Sequence, residues 1–483
     1  MQNDFGGRSR LDVGLRFGRA LSFYRRQSAN FKVLNLRTTL GSFLGNLTAP
    51  YNQVFAKELG ASPIQLGFLS SLGSAFAASL ALPAGFLADR CGRKKLYLIG
   101  SACGLLTPIF YIFAGSWVWL VPAYIFSKVT ITLREPAYQA MYAGSVRRRD
   151  RGSAFGLAKM LTSIPVLLAP IAAVLIMGRP SKISPSVVRP LYAIQLAGLL
   201  ALWVFVWLFL REDDGGWTSL RSAFGHRDPL FLLPLAVLPI GACLLMGWGK
   251  GMGVAALAPL ICMLGLMVLL VATPLRRRFT AARRDGLGGE VRAILRMPGV
   301  KAWLAMKGLG AAAMGLAEPF WLVYAAFVVG VSPTGLALMV TLRTLGQLVS
   351  AVPWGLAADR RGRKFTLLVG RLFRHVGILC FILGREPWLL VLGYALMGIG
   401  DASTSVWTVI RMELVPSKWR AAMASMDRYV WYLPVIFTAM LGGLIYSQWP
   451  RMIFILCLVI DLGVRMPLVA FWVPETRKKS PTS

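Results

Sequence analysis

The chain has few of the residues from which metal sites and catalytic centres are built. Its 483 residues include two histidines, His226 and His375, and six cysteines that are scattered without the spacing of a metal or redox site. The sequence contains no Gly-x-x-x-x-Gly-Lys-Ser/Thr phosphate loop and no evident pair of nucleophile and base. We therefore expect a protein that is not an enzyme and that uses no metal, no cofactor and no ATP.

Acidic residues are also scarce, and the basic excess follows a pattern. The chain has 20 Asp and Glu against 53 Lys and Arg, which gives a formal net charge of +33. In a soluble protein such an excess suggests nucleic acid as a partner. Here the basic residues crowd into alternate loops and both terminal segments, without interleaved aromatic residues. This is the positive-inside pattern, which predicts cytoplasmic termini beside anionic lipid headgroups and no nucleic-acid partner.

Long hydrophobic runs fill the rest of the chain. Hydrophobic residues make up 56% of the sequence, and the mean hydropathy is +0.61. Soluble domains contain roughly 45–50% apolar residues. The runs are about 20 residues long, enough for a helix to cross about 30 Å of hydrocarbon. The sequence therefore predicts an all-α, multi-pass membrane protein, which we place in the plasma membrane.

The hydrophobic runs form two sets of six predicted spans. The first set lies near residues 38–57, 64–88, 95–114, 117–141, 153–177 and 190–210, and the second near 302–329, 334–358, 365–384, 387–412, 421–446 and 452–473. The predicted domains are a basic N-terminal arm (1–37), an N-terminal six-helix bundle (38–211), a central insert (212–301), a C-terminal six-helix bundle (302–474) and a basic tail (475–483).

The central insert contains two further apolar runs, near 230–248 and 254–274, separated by a glycine-rich segment. We predict that they cross the membrane as a hairpin, which gives fourteen spans and leaves the orientation of the second bundle unchanged. The alternative is a hairpin that rests at the membrane interface, with twelve true spans. In both cases the basic segment that follows is a cytoplasmic linker.

One phrase occurs twice, at the same place in each set. Residues 85–94 read GFLADRCGRK, and residues 355–364, which lie 270 positions later, read GLAADRRGRK. Each copy joins two apolar spans. The phrase resembles the loop motif of the major facilitator superfamily of transporters. The resemblance implies two pseudo-symmetric six-helix bundles, related by an axis along the membrane normal, that together carry a small solute.

The resemblance also implies a cytoplasmic gate. Its residues in the two copies are Gly85, Asp89, Arg90, Gly92, Arg93, Gly355, Asp359, Arg360, Gly362 and Arg363. The glycines let helices approach closely, and the aspartates can face the positive N-terminal end of a helix in the opposite bundle. By resemblance, this contact holds the cytoplasmic side shut in the outward-facing state. The alternative is that the motif secures only fold and topology.

Two further arginines match a second family phrase. Arg151 follows the fourth predicted span of the first set, and Arg420 holds the corresponding place in the second set. Both are predicted gate partners of Asp89 or Asp359. A plain positive-inside role is the alternative for both.

Charged residues inside the predicted spans are the candidates for the transport path, because such charges are costly and usually face a cavity. The acids proposed for proton coupling are Glu318, Glu135, Asp401 and Asp427. Glu318 is the foremost candidate, since it precedes Pro319 in a span expected to line the cavity. A carboxylate whose hydration changes as the cavity alternates can load and release a proton. For Asp427, a structural ion pair with Arg428 is the alternative.

The remaining candidates are polar and aromatic residues expected to line the solute cavity. They are Asn46, Tyr51, Arg134, Lys159, Trp321, Tyr324, Trp407, Arg428 and Tyr432. Aromatic rings suit an amphipathic organic solute, although rings at helical spacing also serve as packing. The fifth span keeps only Pro170 of the glycine and proline phrase typical of drug antiporters, with Ala169 and Ala173 in place of glycine. This departure puts efflux by antiport in doubt.

Together these features predict a monomeric secondary transporter that works by rocker-switch alternating access, with one site for a small organic solute near the midplane. Proton coupling is favoured because acids lie in the spans, and sodium coupling or uniport are the alternatives. Export of an amphipathic compound is placed slightly ahead of uptake of a sugar or organic anion. A membrane sensor of the same fold that does not transport is a further alternative.

Overall fold

Helices are the regular elements throughout the residues described by the computed structural model, which are 24–90, 93–146, 151–178, 180, 182–211, 292–416 and 419–475. The N-terminal set comprises α1 (Ala29–Thr48), α2 (Asn52–Glu58), α3 (Pro63–Arg90), α4 (Arg93–Phe113), α5 (Leu120–Gly144), α6 (Arg151–Ile176) and α7 (Pro185–Phe209). The C-terminal set comprises α8 (Val300–Ala317), α9 (Trp321–Tyr324), α10 (Pro333–Arg361), α11 (Arg363–Leu383), α12 (Pro387–Ala402), α13 (Ser405–Glu413), α14 (Arg420–Gln448), α15 (Met452–Val459) and α16 (Met466–Phe471).

The short helices are continuations of longer ones, so that the helices follow the predicted spans. A 3₁₀ turn at Ala49–Tyr51 joins α1 to α2. Pro319 separates α8 from α9, because proline removes a backbone donor and clashes with the preceding turn. A π-helical turn at Ile460–Arg465 joins α15 to α16. The predicted hairpin near 230–248 and 254–274 lies outside the described residues.

The first helix begins at Ala29, earlier than the predicted start near residue 38. Ser28 caps it, since the Ser28 hydroxyl accepts a hydrogen bond of 3.2 Å from the backbone N–H of Phe31. The hydrophobic pattern missed this beginning because Lys32 and Arg37 interrupt it. The segment predicted as a basic arm therefore ends in helix, and Arg37 is buried at 7% exposure.

In the described ranges, ten helices are long and apolar enough to cross a membrane by length and composition. Neither α1 nor α5 is among these ten. The α5 helix contains Lys128, Arg134 and Glu135, and α1 contains Lys32 and Arg37. The helices with the weakest membrane signal are thus those that carry charge into the N-terminal bundle, as expected for helices that line a polar path.

Glycines allow the third and fourth spans of each bundle to pack closely. In the N-terminal bundle a Cβ on Gly100 would lie 3.0 Å from the backbone nitrogen of Arg134. In the C-terminal bundle a Cβ on Gly377 would lie 2.5 Å from the carbonyl oxygen of Gly393. The two halves therefore use the same packing, in which the missing side chain lets backbones touch.

The two bundles meet along two helix pairs, α3 with α14 and α6 with α10. At the beginning of α3, a Cβ on Gly67 would lie 2.2 Å from the carbonyl oxygen of Ala439. At the end of α14, a Cβ on Gly443 would lie 2.5 Å from the carbonyl oxygen of Pro63. At the same end, α2 of one bundle contacts α9 of the other. We call this contact region, formed by α2, α9, the first turns of α3 and the last turns of α14, the seal.

Replacement of Gly67 by alanine is expected to weaken the seal. The new Cβ would overlap backbone rather than a movable side chain, so we expect a loss of about 1–3 kcal/mol in the free energy of unfolding. Gly45→Ala is the matched control, because Gly45 is also helical and has nothing within 4 Å of its Cβ position. That change should be neutral or slightly stabilising. Thermal unfolding in detergent compares the two variants, and equal stability would contradict the described contact.

Candidate functional site

Glu318 lies at the break between α8 and α9, with its side chain exposed beside fully buried neighbours. Ala317 and Phe320 are both 0% exposed, whereas Glu318 is exposed. The Glu318 carboxylate interacts electrostatically with Lys128 of the opposite bundle and with Arg343 of its own. It therefore faces the space between the bundles.

Asp401 belongs to the same group of charged residues as Glu318, Lys128 and Arg343, which we call the charged layer. Its carboxylate accepts hydrogen bonds from Arg343 Nη2 at 2.8 Å and from Arg374 Nη1 at 2.6 Å. Arg343 also donates from Nη1 to the hydroxyl of Tyr394 at 2.8 Å. Two guanidinium groups thus share one carboxylate, and Arg343 extends the cluster toward Glu318. This layer brings together two of the predicted coupling acids, Glu318 and Asp401.

Asp427 lies in a separate cluster within the C-terminal bundle. It accepts a hydrogen bond from Trp303 Nε1 at 3.0 Å and from Arg411 Nη1 at 3.1 Å. Lys307 Nζ lies 3.6 Å from the Asp427 carboxylate. The predicted pairing with Arg428 is replaced here by partners from α8 and α13. These bases come from other helices, so the pattern along α14 could not identify them.

The Lys307 amine is also surrounded by aromatic rings. It lies 4.9 Å from the ring centroid of Trp431 and 5.9 Å from that of Trp407. Arg465 lies on Trp407 as well, at 4.6 Å from the ring centroid. Trp407, predicted to line the cavity, is 6% exposed. It therefore separates two cations inside the bundle and gains cation–π attraction from both.

Asp461 is the most deeply buried acid of the clusters, at 1% exposure. It binds Arg371 at 2.5 Å, His375 Nε2 at 2.6 Å and Arg465 at 2.8 Å. The π-helical turn at Ile460–Arg465 carries both Asp461 and Arg465. Both oxygens of the carboxylate have an arginine or imidazole partner. We therefore interpret this cluster as a structural anchor that holds α11 against the last span.

The N-terminal candidates are arranged differently. Glu135 Oε1 accepts a hydrogen bond of 2.9 Å from Gln139 one turn later. Asn46 donates to the carbonyl oxygen of Ser42 at 2.8 Å within α1. Lys159 on α6 is exposed. Arg134 is partly exposed and lies within electrostatic range of Arg37.

Three aromatic candidates are buried, two of them in the seal (Trp321 and Tyr324) and one in the turn that precedes α2 (Tyr51). Tyr51 and Tyr324 are 0% exposed and Trp321 is 1% exposed. Trp321 stacks on Phe454 with ring centroids 4.4 Å apart. The Tyr324 hydroxyl accepts a hydrogen bond of 2.9 Å from Arg451 Nε. The ring contacts of Trp321 and Tyr324 are thus with Phe381 and Phe454 of their own bundle. Tyr432 and Arg428 on α14 are partly exposed.

The first copy of the loop motif lies where α3 ends and α4 begins. Gly85, Asp89 and Arg90 occupy the last turns of α3, where the structure describes backbone alone. Gly92 lies outside the described residues, and Arg93 begins α4. Arg151 and Arg420 begin α6 and α14, again with backbone alone described.

The second copy is described with its side chains. Asp359 and Arg360 are exposed at the end of α10, and Gly355 is exposed one turn earlier. Gly362 adopts φ +105°, a backbone conformation that favours glycine. Arg363 forms an ion pair with Glu413 at the end of α13.

Both copies end in a lysine that makes the same bond. Lys94 Nζ donates to the carbonyl oxygen of Trp207 at 3.2 Å, and Lys364 Nζ donates to that of Ala470 at 2.7 Å. Each carbonyl lies near the end of the sixth span of its bundle. Glu475 adds acceptors for the backbone N–H groups of Arg363 and Lys364, at 3.2 and 3.1 Å. The lysine that ends each copy of the motif thus binds the last span of its own bundle.

Sequence reasoning missed several of these charged partners. Arg37 was excluded because the first span was predicted to begin after it, and Lys307 and Arg411 were not singled out. Lys307 and Arg411 each lie in a largely apolar segment, which is the signal that could have found these two. Within the described residues, no three His, Cys, Asp or Glu side chains lie close enough to hold a metal ion.

The chain thus consists of two bundles of helices joined at a seal, with charged side chains of both bundles near Glu318. The sequence matches the family model described as Major Facilitator Superfamily over residues 38–330 and 308–483. The chain belongs to this family.

Solved structures with the same fold are transporters. The chain is similar to a peptide transporter POT in complex with sulfate, with a TM-score of 0.62 and 16% identity over 91% of this chain and 93% of that one. It is also similar to the nucleoside transporter NupG, with a TM-score of 0.61 and 12% identity over 90% and 99% of the two chains. A D-xylose-proton symporter gives a TM-score of 0.61 and 14% identity over 93% and 100%. These likenesses show the fold alone.

One curated relative matches a short part of the sequence. It is named "Probable inositol transporter 3" from Arabidopsis thaliana, and it is 27% identical over 89 residues. The match covers 18% of this chain and 15% of the length of that protein.

Substitution of Asp461 by asparagine is expected to destabilise the protein strongly. Two arginines would be left buried without their carboxylate, and breaking such a cluster costs about 3–5 kcal/mol. Glu386→Gln is the control, because Glu386 is exposed and its substitution removes the same charge. That change should stay within about 0.5 kcal/mol of the original protein. The measurement is unfolding in detergent, and an Asp461→Asn variant as stable as the control would refute the anchoring role.

Proposed function

We propose that this protein is a proton-coupled secondary transporter of a small organic solute, working by rocker-switch alternating access in the plasma membrane. The observation that carries the proposal is the exposed Glu318 at the broken seventh span, opposite Lys128 of the other bundle. A carboxylate that faces both an aqueous cavity and a mobile cation can exchange a proton for an ion pair as the bundles move.

The packing supports an inward-facing assignment for this conformation. The seal lies at the end of the bundles away from the loop motifs, and the positive-inside pattern assigns the motif end to the cytoplasm. The path then opens toward the cytoplasm, and both termini are cytoplasmic. In the opposite conformation the motif residues Asp89 and Asp359, with Arg151 and Arg420, would close the cytoplasmic side. We take the working unit to be a monomer.

The placement of the aromatic candidates bears on the kind of solute. Export of an amphipathic compound was favoured by aromatic rings expected in the cavity. Trp321 and Tyr324 lie in the seal and Tyr51 in the turn before α2, and all three are buried. The charged layer of Lys128, Arg343 and Asp401 offers polar recognition instead. Uptake of a polar solute together with protons is therefore the direction that we propose to test first.

Glu318→Gln is expected to abolish solute-driven proton flux. The glutamine side chain is neutral in every conformation. The variant should therefore still exchange solute across the membrane, but it cannot release a proton from residue 318. The measurement uses proteoliposomes that contain a pH-sensitive dye, with panels of anionic, cationic and sugar solutes. The direction of the pH change distinguishes symport from antiport. Labelled-solute exchange in the same vesicles should persist.

Glu386→Gln serves as the charge-matched control and should leave proton flux unchanged, because Glu386 lies exposed at the beginning of α12. Proton flux that survives in Glu318→Gln would refute coupling through Glu318. Solute uptake without any proton movement in the original protein would refute proton coupling altogether, and would leave sodium coupling or uniport.

A further inference from the structure

Arg37 is a buried cation with an aromatic neighbour. It lies on α1, about 12 Å along the helix from Ala29, and is 7% exposed. Its guanidinium carbon lies 5.4 Å from the ring centroid of Tyr97 on α4. The side chain also passes Gly41, where a Cβ would lie 3.4 Å from Arg37 Nη1. The guanidinium is thus enclosed by helices of the N-terminal bundle.

Arg134 lies close to Arg37. It is on α5, about 15 Å before the helix ends at Gly144, so both arginines lie at a similar depth. The two guanidinium groups repel each other electrostatically, and Arg134 also lies near the hydroxyls of Tyr97 and Tyr138. Gly100 presses α4 against the backbone of Arg134, which holds that residue in place. Unlike Arg37, Arg134 is partly exposed.

Neither arginine has a carboxylate partner within ion-pair distance in the part of the chain that the structure describes. Glu135 interacts electrostatically with Arg134, although its carboxylate lies beyond ion-pair distance. The Glu135 carboxylate instead accepts a hydrogen bond from Gln139. The arginines of the C-terminal bundle contrast with this pair, since Arg343 and Arg374 both bind Asp401 and Arg371 binds Asp461.

Two neighbouring cations inside a membrane protein are costly unless an anion accompanies them. Guanidinium groups bind carboxylate and phosphate oxygens through paired N–H donors. The Tyr97 hydroxyl is buried without a hydrogen-bond partner among the described residues, so it can donate a further bond to an anion held by Arg37. We propose that Arg37 and Arg134 bind the anionic group of the transported solute, which makes the substrate a small organic carboxylate or phosphate. This inference rests on the proposed transport function and names its substrate class.

The test uses the purified full-length protein in detergent. Thermal unfolding and calorimetry are measured with succinate, with inorganic phosphate, with the uncharged analogue succinamide and with the cation putrescine. We expect stabilisation by at least one of the two anions and none by the other two compounds, because only an anion relieves the repulsion between the arginines. Anionic phospholipid added to the micelles is a further arm. Stabilisation by the lipid alone would overturn the proposal of a soluble substrate.

The variants are Arg134→Gln and Arg37→Gln, with Arg385→Gln as the control that removes one positive charge from an exposed loop. Each site variant should weaken anion affinity at least tenfold, and the control should not. Arg134→Gln should also unfold at the same or a higher temperature without ligand, since one of two repelling charges is gone. A purely structural arginine would instead give a less stable protein with unchanged anion affinity.

Transport assays distinguish a failure of the proposed anion site from a failure of the proposed transport function, on which the site depends. If proteoliposomes move protons with a cationic or neutral solute and not with anions, the transport proposal stands and the anion site is wrong. If anions bind through the two arginines but no solute crosses, the anion site stands and the transport proposal is wrong. Anion affinity that is the same in all three variants would overturn the site.

Discussion

The cost of holding charge inside a membrane governs the interior of both bundles. A charged side chain in the hydrocarbon region must face water or bind an opposite charge. In the C-terminal bundle, Asp401 and Asp427 each bind two basic side chains from other helices. Asp461 binds Arg371 and His375 of α11 and Arg465 of its own span. These clusters fix the positions of the spans relative to one another. They also leave an excess of positive charge, which sets the electrostatic character of the path.

The N-terminal bundle handles charge in a different way. Its arginines at 37 and 134 share aromatic and hydroxyl neighbours rather than carboxylates. Such an arrangement is less stable when empty and more stable when an anion enters. The two bundles would then have different roles. The C-terminal bundle is held rigid by its own ion pairs, and the N-terminal bundle binds the anion. Lys128 of the N-terminal bundle and Glu318 of the C-terminal bundle interact electrostatically across the boundary between them.

The alternating access that we propose would require contacts between the bundles that can form and break. At the seal, Gly67 and Gly443 bring backbones together without interlocking side chains. Backbone contacts of this kind separate without rotamer changes, which suits a surface that opens and closes. The rings of Phe320 and Trp321 at this end of the molecule are fully buried and stack on Tyr446 and Phe454.

The positions of the spans could be read from hydrophobic runs, because each crossing needs about 20 apolar residues. The start of α1 could not be read from a hydrophobic run, because the helix that contains Arg37 is only moderately apolar. The doubled loop phrase predicted the repeat and the family, and the bonds of Lys94 and Lys364 show what the repeated lysines contact. The aromatic candidates were predicted in the cavity, whereas Trp321 and Tyr324 lie in the seal of this conformation.

The sequence by itself determined the membrane class, the two-bundle architecture and the presence of charges in the spans, because hydrophobicity and repetition are properties of the linear chain. Tertiary structure alone decided which base meets which acid, since the partners of Asp401 and Asp427 come from helices distant in sequence. It also decided that Glu318 is exposed and that Arg37 is buried beside Arg134. Charge pairing depends on distance in space, and helix packing sets that distance.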